Sequence, residues 1–114
     1  MISKLLQQAR DYEREKRQEV RPEERPCYHV TGSRGWINDP NGFSFYKGEY
    51  HLFYQYYPYA NEWGPMHWGH SVSKDLVTWE YRPAVMAPDK DYDNAGCFSG
   101  SALEINDGRH LIMY

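Results

Sequence analysis

Several absences narrow the possibilities before any motif is considered. No apolar run in the 114 residues approaches the ~20 that a membrane-spanning helix needs, so a membrane is not an expected partner. Formal net charge is −3 and the pI is near 5.9, leaving no basic excess to displace counterions from a nucleic acid. Cysteine is scarce: Cys27 and Cys97 stand 70 residues apart, form no C-x-x-C pair, and read as two reduced thiols. There is no glycine-rich phosphate loop and no serine or cysteine triad. His67 and His70 are three apart, which in a strand puts them on opposite faces, unable to chelate one ion. Asp89, Asp91 and Asp93 alternate like a calcium loop. Its sixth position is Asn94 where the sharp turn wants glycine, and its twelfth is Gly100 where the loop needs Glu. No metal and no cofactor are expected.

What the chain has in quantity is aromatic side chains, 17% of residues with eleven Tyr and four Trp. Interleaved with Gln, Asn and His, such rings suit a site that stacks on sugars and hydrogen-bonds hydroxyls, though they can equally fill a core. The first 25 residues are studded with charge, including Lys4, Arg10, Asp11, Glu13 and Arg14, with no apolar h-region of a secretory signal. A cytoplasmic location is the corresponding expectation. Ile2, Leu5, Leu6, Ala9 and Tyr12 recur at helical spacing, predicting an amphipathic helix from Ser3 to about Glu19, with Glu13 and Arg17 placed for an i,i+4 pair. Pro22 and Pro26 end it. This divides the chain into a helical extension over 1–25 and a second region over 26–114.

From Pro26 the hydrophobic period becomes two. Strands are predicted near Phe43–Tyr46, Tyr50–Gln55, His67–Ser73, Thr78–Arg82, Phe98–Glu104 and His110–Met113. Lys47-Gly48-Glu49 and Asn106-Asp107-Gly108 join neighbours as tight hairpins, and Lys74-Asp75-Leu76 is a polar turn. Short strands with turn signals every ten residues or so mean an all-β fold, sandwich or propeller. Trp68 and Trp79 fall within alternating patterns and read as packing rings. The strand at His110–Met113 runs to the last residue, so the chain is expected to be part of a longer protein.

One heptapeptide concentrates possible chemistry. Trp36-Ile37-Asn38-Asp39-Pro40-Asn41-Gly42 sets a ring, a carboxylate and a carboxamide about a segment rigidified by proline. Pro40 fixes its own φ and pushes Asp39 out of the α region. Asn41-Gly42 supplies turn chemistry that lets a strand begin at Phe43. By residue type alone this is a good turn with no need of a function.

Its company changes that reading. The heptapeptide, then Tyr50-His51-Leu52-Phe53-Tyr54-Gln55-Tyr56, the run Trp68 to Trp79, Ala87-Pro88-Asp89 and Gly96-Cys97-Phe98-Ser99-Gly100-Ser101-Ala102 together resemble the start of glycoside hydrolase family 32 over residues 26–114. Ile37 stands where Met is common. The resemblance implies the first part of a five-bladed β-propeller, and the length fits about one and a half blades. It implies cleavage of a β-fructofuranosyl bond, with sucrose, sucrose 6-phosphate or a fructan as the small-molecule partner. Asp39 would be the nucleophile, and Trp36, Ile37, Asn38, Gln55, Trp63, Phe98 and Ser99 would contact the sugar. A glycosidase generally needs a second carboxyl group as proton donor. The family's Arg-Asp-Pro and Glu-Cys motifs do not occur here, and Glu62, Glu80 and Glu104 read as loop or surface acids. The rival expectations are a sugar-binding module without catalysis, a levanase, inulinase or fructosyltransferase of the same fold, and, more distantly, an arabinan-cleaving propeller.

Overall fold

A computed structural model describes all residues 1–114. Helix α1 (Lys4–Lys16) begins where Ser3 accepts the Leu6 N–H at 3.1 Å, and a 3₁₀ turn, Arg17–Glu19, carries the chain on to Val20. Six strands follow: β1 (Trp36–Tyr46), β2 (Glu49–Tyr57), β3 (His67–Ser73), β4 (Glu80–Met86), β5 (Ser101–Glu104) and β6 (His110–Met113). The first four form one antiparallel meander, and β5 and β6 a separate hairpin. The all-β expectation with a leading helix holds.

The helix protects a sheet edge. Strand β4 lies at the end of its sheet, where unpaired backbone groups invite association. Arg10 Nε donates to the Ala84 carbonyl at 2.7 Å, and the Ala84 N–H donates to Glu13 Oε2 at 3.0 Å. Two side chains one helical turn apart thus replace a missing strand. This corrects the Glu13–Arg17 ion pair expected from spacing: Glu13 points inward and is buried. Burial raises its pKa above the ordinary carboxylate value, against the opposing effects of the Ala84, Tyr56 and Ser33 hydrogen bonds and the Arg10 charge.

The two sheets are joined along β1. Its Gly42 N–H donates to Gly100 O at 3.1 Å, Ser44 Oγ meets His110 Nε2 at 2.8 Å, and Tyr46 OH donates to Gly108 O at 2.8 Å. From Gly42 to Tyr46, alternate residues of β1 thus bond to β6 or to the segments flanking β5 and β6. Gly42 sits at φ +51°, and a Cβ there would come within 2.8 Å of the Phe53 ring and 3.0 Å of Ala102 Cβ. Phe53, Trp68 and Cys97 form the buried centre between the sheets, with Val85, Met86, Ala102 and Ile112 against it. His51, His70 and His110 cluster beside them, with His51 Nδ1 and His70 Nε2 3.0 Å apart. His67 goes elsewhere, its Nδ1 3.0 Å from Pro65 O.

Three strand starts differ from expectation by two residues or more, and β4 also runs on to Met86 where Arg82 was its expected end. β1 starts at Trp36, so the Asn-Asp-Pro-Asn-Gly segment is no turn ahead of Phe43 but part of a strand, with register shifts between Ile37 and Pro40 and between Asn41 and Ser44. Irregular pairing on an edge strand is the place where a proline's missing N–H is tolerated. β4 starts at Glu80, because Ser73 Oγ takes the Asp75 and Leu76 N–H groups and Asp75 Oδ1 takes those of Val77 and Thr78. Trp79 accordingly lies outside the strand, half-buried against the 25–31 segment. Residues 98–100 are irregular, so β5 starts at Ser101.

Candidate active site

The irregular pairing of β1 has a consequence for Asp39. Asp39 lies without a ladder partner where the register shifts between Ile37 and Pro40, and it is exposed. From the irregular segment that leads into β5, sixty residues on, Ser99 Oγ donates to Asp39 Oδ2 at 3.0 Å. Trp36 Nε1 donates to Asn38 Oδ1 at 2.8 Å, holding the indole beside the same backbone. Trp36 is 36% exposed and Phe98 62%. Large rings open to solvent on both arms of a carboxylate are suited to covering an apolar ligand face. Ile37 is half-buried between Trp36 and Asn38.

Beneath these exposed groups lies a buried amide pair. Asn41 and Gln55 are 2% and 3% exposed. Gln55 Nε2 donates to the Cys97 carbonyl at 3.0 Å. Oriented by its hydrogen bonds, the Asn41 amide accepts from Gln55 Nε2 at 3.1 Å and from Gln55 N at 3.3 Å, and donates to Pro40 O at 3.1 Å. Gln55 thereby ties the residue two after Asp39 to the residue two before Ser99. The Cys97 thiol, 3.7 Å from Asp93 Oδ2, is pushed up to about 12 by burial and by that carboxylate, and so stays protonated. Asp93 also takes the Lys90 N–H at 2.7 Å and the Tyr114 hydroxyl at 2.8 Å. The aspartate that resembled a calcium ligand therefore has a bonding role inside the 89–97 loop. Cys27 is exposed and not joined to Cys97.

The structure thus brings Trp36, Asn38, Asp39, Phe98 and Ser99 to one exposed edge, with Gln55 below them. Trp63 is 59% exposed on the loop before β3 and makes no hydrogen bond to this group. Glu62, Glu80 and Glu104 are exposed, as expected. Asn41 and Asp93 escaped the reading of the sequence as site-building residues. Asn41 adjoins the Asp-Pro pair and could have been found by asking what holds a bulged strand; nothing local signals the bonds of Asp93.

Comparison with known proteins settles the family. Residues 29–114 match the profile of the glycosyl hydrolases family 32 N-terminal domain. The chain belongs to glycoside hydrolase family 32. Its family 32 relatives include a sucrose-6-phosphate hydrolase of Zymomonas mobilis, 58% identical over 89 residues, which are 78% of this chain and 17% of that protein. A Bacillus subtilis levanase is 61% identical over 79 residues, 69% of this chain and 11% of the levanase. Among solved structures, the sucrose-6-phosphate hydrolase of Lactobacillus gasseri superposes with a TM-score of 0.80 at 44% identity, over 91% of this chain and 21% of its own. A Bombyx mori family 32 β-fructofuranosidase variant in complex with sucrose gives 0.81 at 44%, over 94% and 22%. The chain therefore spans between about a tenth and about a fifth of the length of these relatives, and its sheets belong to the family's N-terminal β-propeller domain.

Proposed function

We propose that this chain carries the nucleophile of an enzyme that hydrolyses the β-fructofuranosyl bond of sucrose or sucrose 6-phosphate with retention. The observation that carries the reading is the placement of Asp39: a solvent-facing carboxylate, hydrogen-bonded by Ser99 and flanked by the exposed Trp36 and Phe98 rings. Two of the relatives are named for sucrose 6-phosphate, and another was solved with sucrose bound.

In this mechanism an Asp39 oxygen attacks the anomeric carbon, and the glycosidic C–O bond breaks as a bond to the carboxylate forms. The departing oxygen takes a proton from a carboxylic acid about 5–5.5 Å from Asp39 in the assembled site. We assign that acid to residues outside these 114, because the Glu-Cys motif that carries the family's proton donor does not occur in this sequence. Water then cleaves the fructosyl ester, and the two displacements give net retention. Trp36, Ile37, Asn38, Trp63 and Phe98 form the walls against the sugar, and Gln55 and Ser99 supply polar contacts. The levanase relative favours a fructan as the second substrate to test on the same site.

Asp39→Asn in the full-length protein tests the assignment. Turnover of sucrose should fall by several orders of magnitude, about 10⁴-fold or more, while sucrose still binds by calorimetry. Retained turnover in that variant contradicts the nucleophile assignment.

A further inference from the structure

The aim of Ser99 at Asp39 depends on a backbone segment with almost no regular structure of its own. Residues 97–100 form no strand, yet four of their backbone groups are tied down. The Cys97 N–H donates to Met66 O at 2.8 Å, and Gly100 O accepts from Gly42 N at 3.1 Å. The two carbonyls between them are gripped by side chains. Gln55 and Trp68 are direct partners across the β2–β3 ladder, so their side chains leave the same face together. Gln55 Nε2 takes Cys97 O at 3.0 Å, and Trp68 Nε1 takes the next carbonyl, Phe98 O, at 2.9 Å. An amide and an indole standing side by side thus hold consecutive peptide groups immediately before Ser99.

Gln55 also bonds Asn41 and is one of the residues that the family resemblance assigns to the sugar, so its effects would be mixed. Trp68 is fully buried, and the one hydrogen bond of its side chain is the N–H donated to Phe98 O. Its ring is locked among Phe53 (centroids 5.9 Å), Tyr114 (6.2 Å) and Cys97. A ring fixed on all sides transmits its position to whatever it bonds. A phenylalanine could supply most of the apolar packing but not the donor.

We propose that Trp68 is a positioning residue for the Asp39 centre: its indole N–H fixes the Phe98 carbonyl and thereby the direction of the Ser99 hydroxyl toward Asp39. The inference rests on the reading of Asp39 as nucleophile. It goes further by giving a buried packing ring a part in holding the reactive geometry.

The test uses the full-length protein with two changes at this position: Trp68→Phe, and replacement of Trp68 by benzothienylalanine, which keeps the bicyclic outline but puts sulfur where the N–H was. Loss of the N–H should lower kcat on sucrose about tenfold, since small displacements of reacting groups are costly, with KM changed less than about twofold. The same change should be nearly silent in a Ser99→Ala background, because the path through Ser99 is already cut. A combined loss close to that of Ser99→Ala alone is expected; a loss equal to the product of the two single losses would show that Trp68 acts by another route. If Trp68→Phe does not fold, the near-isosteric analogue carries the test. Full kcat in the analogue variant, with wild-type protein active, overturns this inference alone. A wild-type protein with no β-fructofuranosidase turnover overturns the nucleophile reading beneath it.

Discussion

Ser99 and Asp39 lie sixty residues apart in the chain, one in the irregular segment before β5 and the other in β1, and the hydroxyl of Ser99 donates to the carboxylate of Asp39 at 3.0 Å. The bond joins the two arms of the candidate site and exists only because β1 docks on the segment leading into β5. Hydrogen bonds to charged groups are worth more than neutral ones, typically about 1.5–3 kcal/mol. Ser99→Ala should therefore lower kcat on sucrose by about tenfold or more without moving the melting temperature by more than a degree or two. Steady-state kinetics on the purified full-length variant, beside a thermal melt, checks both parts.

The Arg10–Ala84–Glu13 clamp makes a stability prediction with a definite pH sign. Glu13→Ala leaves the Ala84 N–H without its acceptor and should cost about 1–3 kcal/mol. Glu13→Gln retains an acceptor and should cost less. Burial, the largest influence, raises the folded-state pKa of Glu13 above 4.5. The folded form consequently holds its proton longer than the unfolded chain, and stability is lost as pH rises from the ordinary carboxylate value through the raised one. Melting temperatures measured across that window should fall more steeply for wild type than for Glu13→Gln.

The histidine cluster behaves in the opposite sense. His70 is held down to about 3, mainly by burial and then by the charges of His51, Arg82 and His110. His110 is lowered too, by burial and by His51, against the opposing pull of Glu104. The unfolded chain therefore takes up protons first as pH falls, so stability is full above about 6.5 and is lost progressively below it. His70→Phe should flatten this acid slope by close to one proton between about pH 6 and 4. Unfolding by urea at several pH values measures the slope directly. An unchanged slope would place the proton uptake on other groups.

Much of this architecture could be read from residues alone, and the parts that could not share a cause. The helix, β2, β3 and the Lys47-Gly48 and Asp107-Gly108 hairpins follow local period and turn chemistry. Both hairpin turns adopt positive φ where that chemistry requires it, with Lys47 at 49°, Gly48 at 83° and Gly108 at 79°. The start of β1 differs from expectation because Asn-Asp-Pro-Asn-Gly has the composition of a turn, and only pairing with Tyr54 and Phe53 makes it a bulged strand. β4 starts two residues later than its sequence pattern predicts because the hydroxyl and carboxylate of Ser73 and Asp75 lengthen the preceding turn. Asp39 and Ser99 were identifiable through the family resemblance. The bonds made by Asn41, Trp68 and Asp93 depend on cross-strand register, which no local pattern records.

As the proposed nucleophile, the Asp39 carboxylate should form a covalent bond to a fructosyl carbon during turnover. Incubating the full-length enzyme with a slow fluorinated fructosyl substrate, followed by proteolysis and mass spectrometry, tests it most directly. One added fluorofructosyl unit is expected on the peptide containing Trp36–Gly42, localised to Asp39 and absent in Asp39→Asn. A label on any other residue, or turnover with inversion and no adduct, would contradict it.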